Sequence, residues 1–181
     1  MYLRGAEPGL TVERTDGVGF TAALYVRDRF GLQVGTDIPA LTPPVPVRPS
    51  TVTVTQADWD GWWAAIEDSP PAQYVAPPPG SSLSALYDEM MDDEHHELVR
   101  WVQDQHWESS RVMRAYRADW LSPWIGASPA RGRYVTETVP VTGPWCLSLT
   151  PRRLLVSVDL MRDHDAMDAL WREQLTALEA P

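Results

Sequence analysis

The sequence predicts an α+β fold in a single domain, 1–181, in which a mostly antiparallel sheet is packed against three to four helices. Two hydrophobic patterns predict it. Short runs with alternating or β-branched residues lie toward both ends of the chain, whereas apolar residues at helical spacing fill the middle and the C-terminal end. With 181 residues, 44% of them hydrophobic, the chain is long enough for one packed core.

The N-terminal part, residues 1–38, is predicted to form a β-hairpin. The run 10–15 is rich in β-forming residues, and it is followed by Asp16-Gly17, a favoured two-residue hairpin turn. Residues 19–26, with their mixture of aromatic and aliphatic side chains, are expected to be the second strand.

A proline-rich connector, 39–50, separates this hairpin from the rest of the chain, because its five prolines favour an extended backbone. The alternation at 51–54 then predicts a strand with one buried face. Thr55 stands three residues before Asp58, which is the spacing of a capped helix start, so a helix is expected over about 57–67.

An acidic helical segment, 55–122, forms the centre of the molecule. From Leu83 to Trp120 apolar residues recur at helical spacing, the longest such pattern in the chain. The polar interval 103–111 has no clear apolar stripe, so one long helix and two shorter helices are both compatible with it. We expect two helices, with a break near Ser109.

The C-terminal part, 131–179, is predicted to contain a hairpin followed by a helix. Three runs read as strands: 133–141, 145–149 and 154–158. The tail 163–178 reads as an amphipathic helix capped by Asp163, and its apolar face comprises Met167, Leu170, Trp171, Leu175 and Leu178.

Two features of the composition exclude whole classes of chemistry. The chain has no lysine, so no side chain can form a Schiff base or act as the lysine of a phosphate-binding loop. Cys146 is the only cysteine, which excludes an internal disulfide and a thiolate zinc cluster. We expect Cys146 to be a small buried residue on a strand.

The net charge of −10 falls entirely within residues 58–104. This stretch contains eleven acidic residues and one basic residue, Arg100, whereas the rest of the chain contains 14 acidic and 14 basic residues. Such an uneven charge selects and steers a basic partner. The densest part of this stretch comprises Asp88, Glu89, Asp92, Asp93, Glu94 and Glu97.

Three of the nine tryptophans, Trp59, Trp62 and Trp63, lie on the predicted helix 57–67 and cannot all face one core, since adjacent residues diverge by about 100° on a helix. An exposed tryptophan beside carboxylates is typical of a protein interface. The predicted partner-binding residues are therefore Trp59, Trp62, Trp63, Asp88, Glu89, Asp92, Asp93, Glu94 and Glu97. Direct binding of nucleic acid is not expected, because this acidic region repels phosphates.

A metal site is the weaker interpretation of the same region. Asp92 and His95, like Asp93 and His96, stand one helical turn apart, and such pairs bind iron or manganese in helical bundles. A bundle site needs a second pair, for which His106 and the carboxylates around it are the only later candidates. We therefore expect a solvated acidic face with no metal and no cofactor.

The arginines Arg111, Arg114 and Arg117 repeat every three residues along the helical pattern. Pairing with nearby carboxylates of the chain is the favoured interpretation, and an anion site is the alternative.

The leading hypothesis is a non-enzymatic, cytoplasmic protein-binding module of immunity or adaptor type that masks a basic protein partner. The cytoplasm is expected because the chain begins without a secretion signal and has no membrane-spanning apolar run. The alternatives are an acid–base or metal-assisted enzyme that uses the Asp/Glu/His cluster 88–108, and a structural component of a phage or secretion system. No catalytic motif singles out two of the many carboxylates.

Overall fold

The computed structural model describes residues 2–4, 10–128 and 130–178, with the backbone alone for residues 2–4 and 94. Within this part, five strands form one mixed sheet in the order β1-β2-β3-β5-β4. The outer pairs β1/β2 and β4/β5 are antiparallel, and the inner pairs β2/β3 and β3/β5 are parallel. The strands are β1 Tyr2–Arg4, β2 Leu10–Asp16, β3 Gly132–Val139, β4 Cys146–Thr150 and β5 Arg153–Ser157.

Six helices accompany this sheet in the described ranges. They are α1 Val18–Arg29, α2 Gln56–Glu67, α3 Ser82–Ala115, α4 Leu121–Ala127, α5 Val158–Arg162 and α6 His164–Ala177. The α+β class is confirmed. The mostly antiparallel sheet and the count of three to four helices are wrong. β2 connects to β3 through α1, α2, α3 and α4, the long crossover that parallel strands require, and α5 and α6 follow β5.

The predicted hairpin at the N-terminal end is also wrong in its second strand, because residues 19–26 lie in α1. Every residue from Gly19 to Arg27 is buried, and an uninterrupted apolar run fits a buried helix as well as a buried strand. Gly17 does not turn the chain back; its N–H donates to the carbonyl oxygen of Thr138 at the end of β3, 2.9 Å away.

The helix expected at 57–67 is confirmed as α2. Thr55 Oγ1 accepts a hydrogen bond from the N–H of Asp58 at 3.1 Å, and the Asp58 carboxylate accepts one from the N–H of Thr55 at 3.3 Å. This capping box satisfies two backbone donors at the helix start. The strand predicted at 51–54 is wrong: this segment alternates in exposure but belongs to none of the described strands.

α3 is a single helix of 34 residues, so the break expected near Ser109 is wrong. Ser109 is buried, and its hydroxyl donates to the carboxylate of Asp16 at the end of β2. The polar interval therefore continues the helix, because one of its polar side chains has a partner on the sheet.

The C-terminal predictions are confirmed in outline. β3, β4 and β5 cover the three expected runs, and Asp163 caps α6 by accepting a hydrogen bond from the N–H of Ala166 at 3.1 Å. Cys146 is on a strand, as expected, but β4 is an edge strand and the cysteine is exposed, so its predicted burial is wrong. Partial desolvation and the nearby Glu173 raise the pKa of its thiol.

Two hydrophobic clusters cover opposite faces of the sheet. Leu155 packs with α1, α2 and the first half of α3, whereas its neighbours Leu154 and Val156 pack with α4 and α6. This split follows from the alternation of side chains along β5. α3 belongs to both clusters, since Leu98 packs in the first and Val112 in the second.

Candidate functional site

The exposed side of α3 carries the acidic residues that the sequence singles out. The structure brings together five exposed carboxylates, hereafter the acidic surface: Asp88, Glu89, Asp92, Asp93 and Glu97. Glu94 lies in the same helix, and its side chain is outside the described part. Ser81 caps the start of α3 by accepting a hydrogen bond from the N–H of Ser84 at 3.1 Å.

Arg48 of the proline-rich connector neutralises part of the acidic surface. Its Nη2 lies 2.9 Å from Glu89 Oε1 and 2.9 Å from Asp93 Oδ2. Asp88 and Asp92 form no ion pair within the described residues. The connector therefore lies on one side of α3 and leaves the charges of Asp88 and Asp92 uncompensated.

An apolar groove of about 390 Å³ lies between α3, α1 and the loop before α3. Asp88 stands three residues before the groove residue Met91, and Asp92 stands three residues before His95, so the acidic and apolar groups share one side of the helix. The residues that line this α3 groove include Ala22, Tyr74, Met91, Leu98, Val99 and Val102.

Tyr74 connects the groove to its acidic border. The ring of Tyr74 is 6.1 Å from the ring of Tyr87, and 40% of the residue is exposed. Burial, a hydrogen bond with Tyr87 and the charge of Asp88 raise the pKa of the Tyr74 hydroxyl. The Asp88 carboxylate therefore acts electrostatically at the edge of the apolar lining.

The predicted tryptophan anchors lie mostly in the core. Trp59 and Trp62 are 3% and 0% exposed, and the Nε1–H of Trp62 donates to the carbonyl oxygen of Val75 at 3.0 Å. Trp63 is half-buried, with its ring 4.7 Å from that of Phe20. Trp59 and Trp62 therefore have almost no surface open to a partner, because both pack into the first hydrophobic cluster beneath α2.

Among the described residues the exposed tryptophan is Trp107, which is not one of the predicted partner-binding residues. It lies on α3 with 67% of its surface exposed, beyond the C-terminal end of the groove. The residues three and four positions away are Gln103, Asp104, Ser110 and Arg111. The absence of an apolar neighbour at helical spacing was the signal that this ring does not belong to the core stripe.

The metal candidates do not converge. Among the described residues, no group of three or more His, Cys, Asp and Glu side chains is placed to hold an ion. His95 and His96 are exposed, with ring centroids 5.8 Å apart. Asp92 and Asp93 lie on the same helix as the two histidines, and within the described ranges no carboxylate or histidine of a second helix completes a ligand set with them.

His106, the fifth metal candidate, has a different partner. Its Nδ1 is in hydrogen-bond contact with the Asp16 carboxylate, which also accepts the hydroxyl of Ser109. Because an ionised carboxylate only accepts, Nδ1 is the donor in this contact. The geometry resembles an oriented general base, although Ser109 bonds to Asp16 and not to His106.

Comparison with protein-family models, with curated proteins and with solved structures finds no significant match for this chain. Within the described ranges, no helix has both the length and the apolar character needed to span a bilayer.

Proposed function

We propose that this protein is a non-enzymatic binding module whose α3 groove receives a basic amphipathic segment of a protein partner. The observation that carries the proposal is the apolar groove of about 390 Å³, whose lining residues on α3 stand at helical spacing from Asp88 and Asp92. An amphipathic helix that binds in a groove needs both elements, an apolar bed for one face and opposite charge for the other.

The apolar lining supplies the affinity in this proposal. Val99 is 36% exposed and Tyr74 40%, although both lie beside buried core residues of α3. A partner that covers these side chains gains about 25 cal/mol for each Å² of apolar surface removed from water. Met91 also lines the groove, and methionine adapts its shape to different apolar side chains.

The carboxylates supply the selectivity. Asp88 and Asp92 are a turn apart, so their mutual repulsion opposes helix formation until a cation neutralises them. The wider negative field of residues 58–104 raises the association rate for a basic partner. This charge pattern supports an immunity-type or adaptor role in the cytoplasm, in which the module masks a cationic surface of its partner.

The position of the interface is tested by photocrosslinking in the native host. A photoreactive phenylalanine analogue at position 99 in the groove should crosslink to a basic protein. The same group at position 169, where Ala169 is exposed on α6 at the other face of the sheet, is the matched control and should not. Crosslinking to the same protein from both positions, or to no basic protein from position 99, would contradict the proposal.

The role of charge is tested with the partner so identified and two variants of equal net charge. The double variant Asp88→Asn/Asp92→Asn removes two charges at the groove, and Glu97→Gln/Asp104→Asn removes two charges of the same helix outside it. We expect the first variant to slow association by about tenfold and the second to have a much smaller effect. Equal effects would indicate a diffuse field and remove the groove from the proposal.

Acid–base catalysis is the second candidate, because His106 is oriented by Asp16 from a different element. A cavity of about 20 Å³ beside this pair has room for one water and is also bordered by Thr138, whose buried hydroxyl has no protein partner. Hydrolysis of a chromogenic ester or phosphate ester that His106→Gln abolishes and His95→Gln preserves would support this candidate. Equal rates in both variants would exclude it.

A further inference from the structure

A second cavity, of about 360 Å³, lies at the opposite end of α3 from the acidic surface. It is formed where the C-terminal end of α3 meets β2, the start of α4 and α6. Three guanidinium groups and one carboxylate line it, in a protein whose net charge is −10. The residues that define this arginine pocket are Arg14, Arg114, Arg117, Tyr116, Asp119 and Trp171.

Arg114 and Arg117 are available to a ligand. Neither forms an ion pair with a carboxylate within the part of the chain that the structure describes, and both are exposed. Arg111, one turn earlier on α3, is paired with Glu108, with Nη2 and Oε1 2.8 Å apart. The intramolecular pairing predicted for the arginine stripe therefore holds for Arg111 and leaves two positive charges at the pocket.

Arg14 forms a preorganised wall of the pocket. Its guanidinium carbon lies 5.3 Å from the centre of the Tyr116 ring and 5.8 Å from that of Trp171, and its Nη1 donates to the carbonyl oxygen of Tyr116 at 3.2 Å. Partial burial lowers the pKa of Arg14. The Tyr116 hydroxyl donates to Asp168 of α6, and this bond fixes the ring beneath Arg14.

The lining also has an apolar part. Val12, Leu121 and Trp171 lie behind the cavity in the second hydrophobic cluster and are 2%, 0% and 1% exposed, so the apolar surface open to a ligand is that of the partly exposed Ala118 and the carbon chains of the arginines. A cavity of this size lies within the range of small-molecule sites, which combine apolar walls with a few oriented polar groups. The pocket is therefore suited to a ligand with one strongly anionic end and one apolar end.

We propose that the arginine pocket binds a small organic phosphate, of the size and type of a nucleoside monophosphate. The forked guanidinium groups of Arg114 and Arg117 hold the phosphate through paired charge-assisted hydrogen bonds. The ring of the ligand lies against Ala118 and the carbon chains of the arginines. This site is independent of the α3 groove, and its failure would leave the proposed binding function untouched.

Calorimetric titration of the full chain tests the assignment with adenosine monophosphate, adenosine and inorganic phosphate. We expect saturable binding of the monophosphate, with weaker binding of the other two, because each contains only one of the recognised groups. No saturable binding of the monophosphate, or equal affinity for adenosine, would overturn the assignment. Equal affinity for inorganic phosphate would show that the pocket does not recognise the organic part of the ligand, and would overturn that part of the assignment.

Variants then locate the site on the parent protein. Arg114→Gln and Arg117→Gln should each weaken monophosphate binding by about tenfold or more, the usual effect of removing a hydrogen bond to a charged group. Arg114→Lys keeps the charge but loses the fork, so it should give an intermediate loss. Arg100→Gln is the matched control, exposed on the same helix outside the pocket, and should stay within about twofold of the parent. Equal weakening by Arg100→Gln would place the binding elsewhere.

Discussion

Arg153 and Glu137 form a buried ion pair between the neighbouring parallel strands β5 and β3, with Nε and Oε2 2.5 Å apart. Their other atoms hold the segment that follows α2. Arg153 Nη1 donates to the carbonyl oxygens of Glu67 and, at 2.9 Å, Ser69, while Glu137 Oε1 accepts the N–H of Ala72 at 3.2 Å. The pair therefore fixes the end of α2 to the sheet, and with it the first hydrophobic cluster.

Breaking this pair should be costly. We expect Arg153→Met to lower the free energy of unfolding by about 3–5 kcal/mol, because Glu137 would be left as a buried charge without a cation. Urea denaturation measures the loss. Arg100→Met, which removes an exposed guanidinium with no ion pair among the described residues, should leave the free energy of unfolding nearly unchanged. A similar loss in both variants would show that the buried pair has no special role.

The two extremes of tryptophan burial give a second comparison. Trp171 is 1% exposed, and its Nε1–H donates to Thr136 Oγ1 at 3.1 Å, so Trp171→Ala should cost about 3–5 kcal/mol of unfolding free energy. Trp107→Ala removes an exposed ring and should change it by less than about 0.5 kcal/mol. Thermal and urea unfolding of both variants would decide whether α6 packs on the sheet as described.

Single neutral substitutions should separate two kinds of carboxylate on the acidic surface. Asp92 has like charges around it and no ion pair within the described residues, so Asp92→Asn should leave the melting temperature unchanged or slightly raise it. Asp93 is paired with Arg48, so Asp93→Asn should lower it slightly. A clear loss in Asp92→Asn would mean that its charge contributes to folding.

Glu108 should give a measurable acid dependence. Hydrogen bonds from Arg111 and Arg162 lower the pKa of its carboxyl to about 2, below the ordinary value of 4.5. A carboxyl whose pKa is lower in the folded state than in the unfolded state stabilises the protein. This stabilisation is complete at a pH above the unfolded-state pKa, and it is lost as the pH falls from about 4.5 toward 2. The parent should therefore lose more stability over this range than Glu108→Gln. Asp104→Asn is the control, because Asp104 is exposed on the same helix without such partners; it should retain the slope of the parent.

Local signals in the sequence predicted local structure well. The Thr55–Asp58 capping box, the Asp163 cap and the apolar face of α6 each depend on residues within a few positions of one another. The parallel strand order was not accessible in this way, because β2 and β3 are separated by more than a hundred residues and parallel pairing leaves no turn signature. The same applies to α1, whose residues are buried on every side and so show no amphipathic period.

The candidate site was predicted in part for the same reason. The acidic surface is a run on one helix, so its exposure followed from α3 alone. Burial of Trp59 and Trp62 depends on which elements cover α2, and the α3 groove needs Ala22 and Tyr74 from distant segments. The pairing of His106 with Asp16 joins residues 90 positions apart, and no spacing rule connects them.

Because α3 is one continuous helix, it couples the stability of the hydrophobic clusters on the two faces of the sheet. At about 1.5 Å per residue the helix extends for about 51 Å, and it contributes to the hydrophobic cluster on each face. If one cluster came apart, half of α3 would remain as a helix without tertiary support, which is marginal in water. We therefore expect the two faces to melt in one cooperative transition, with the acidic surface and the arginine pocket lost at the same temperature.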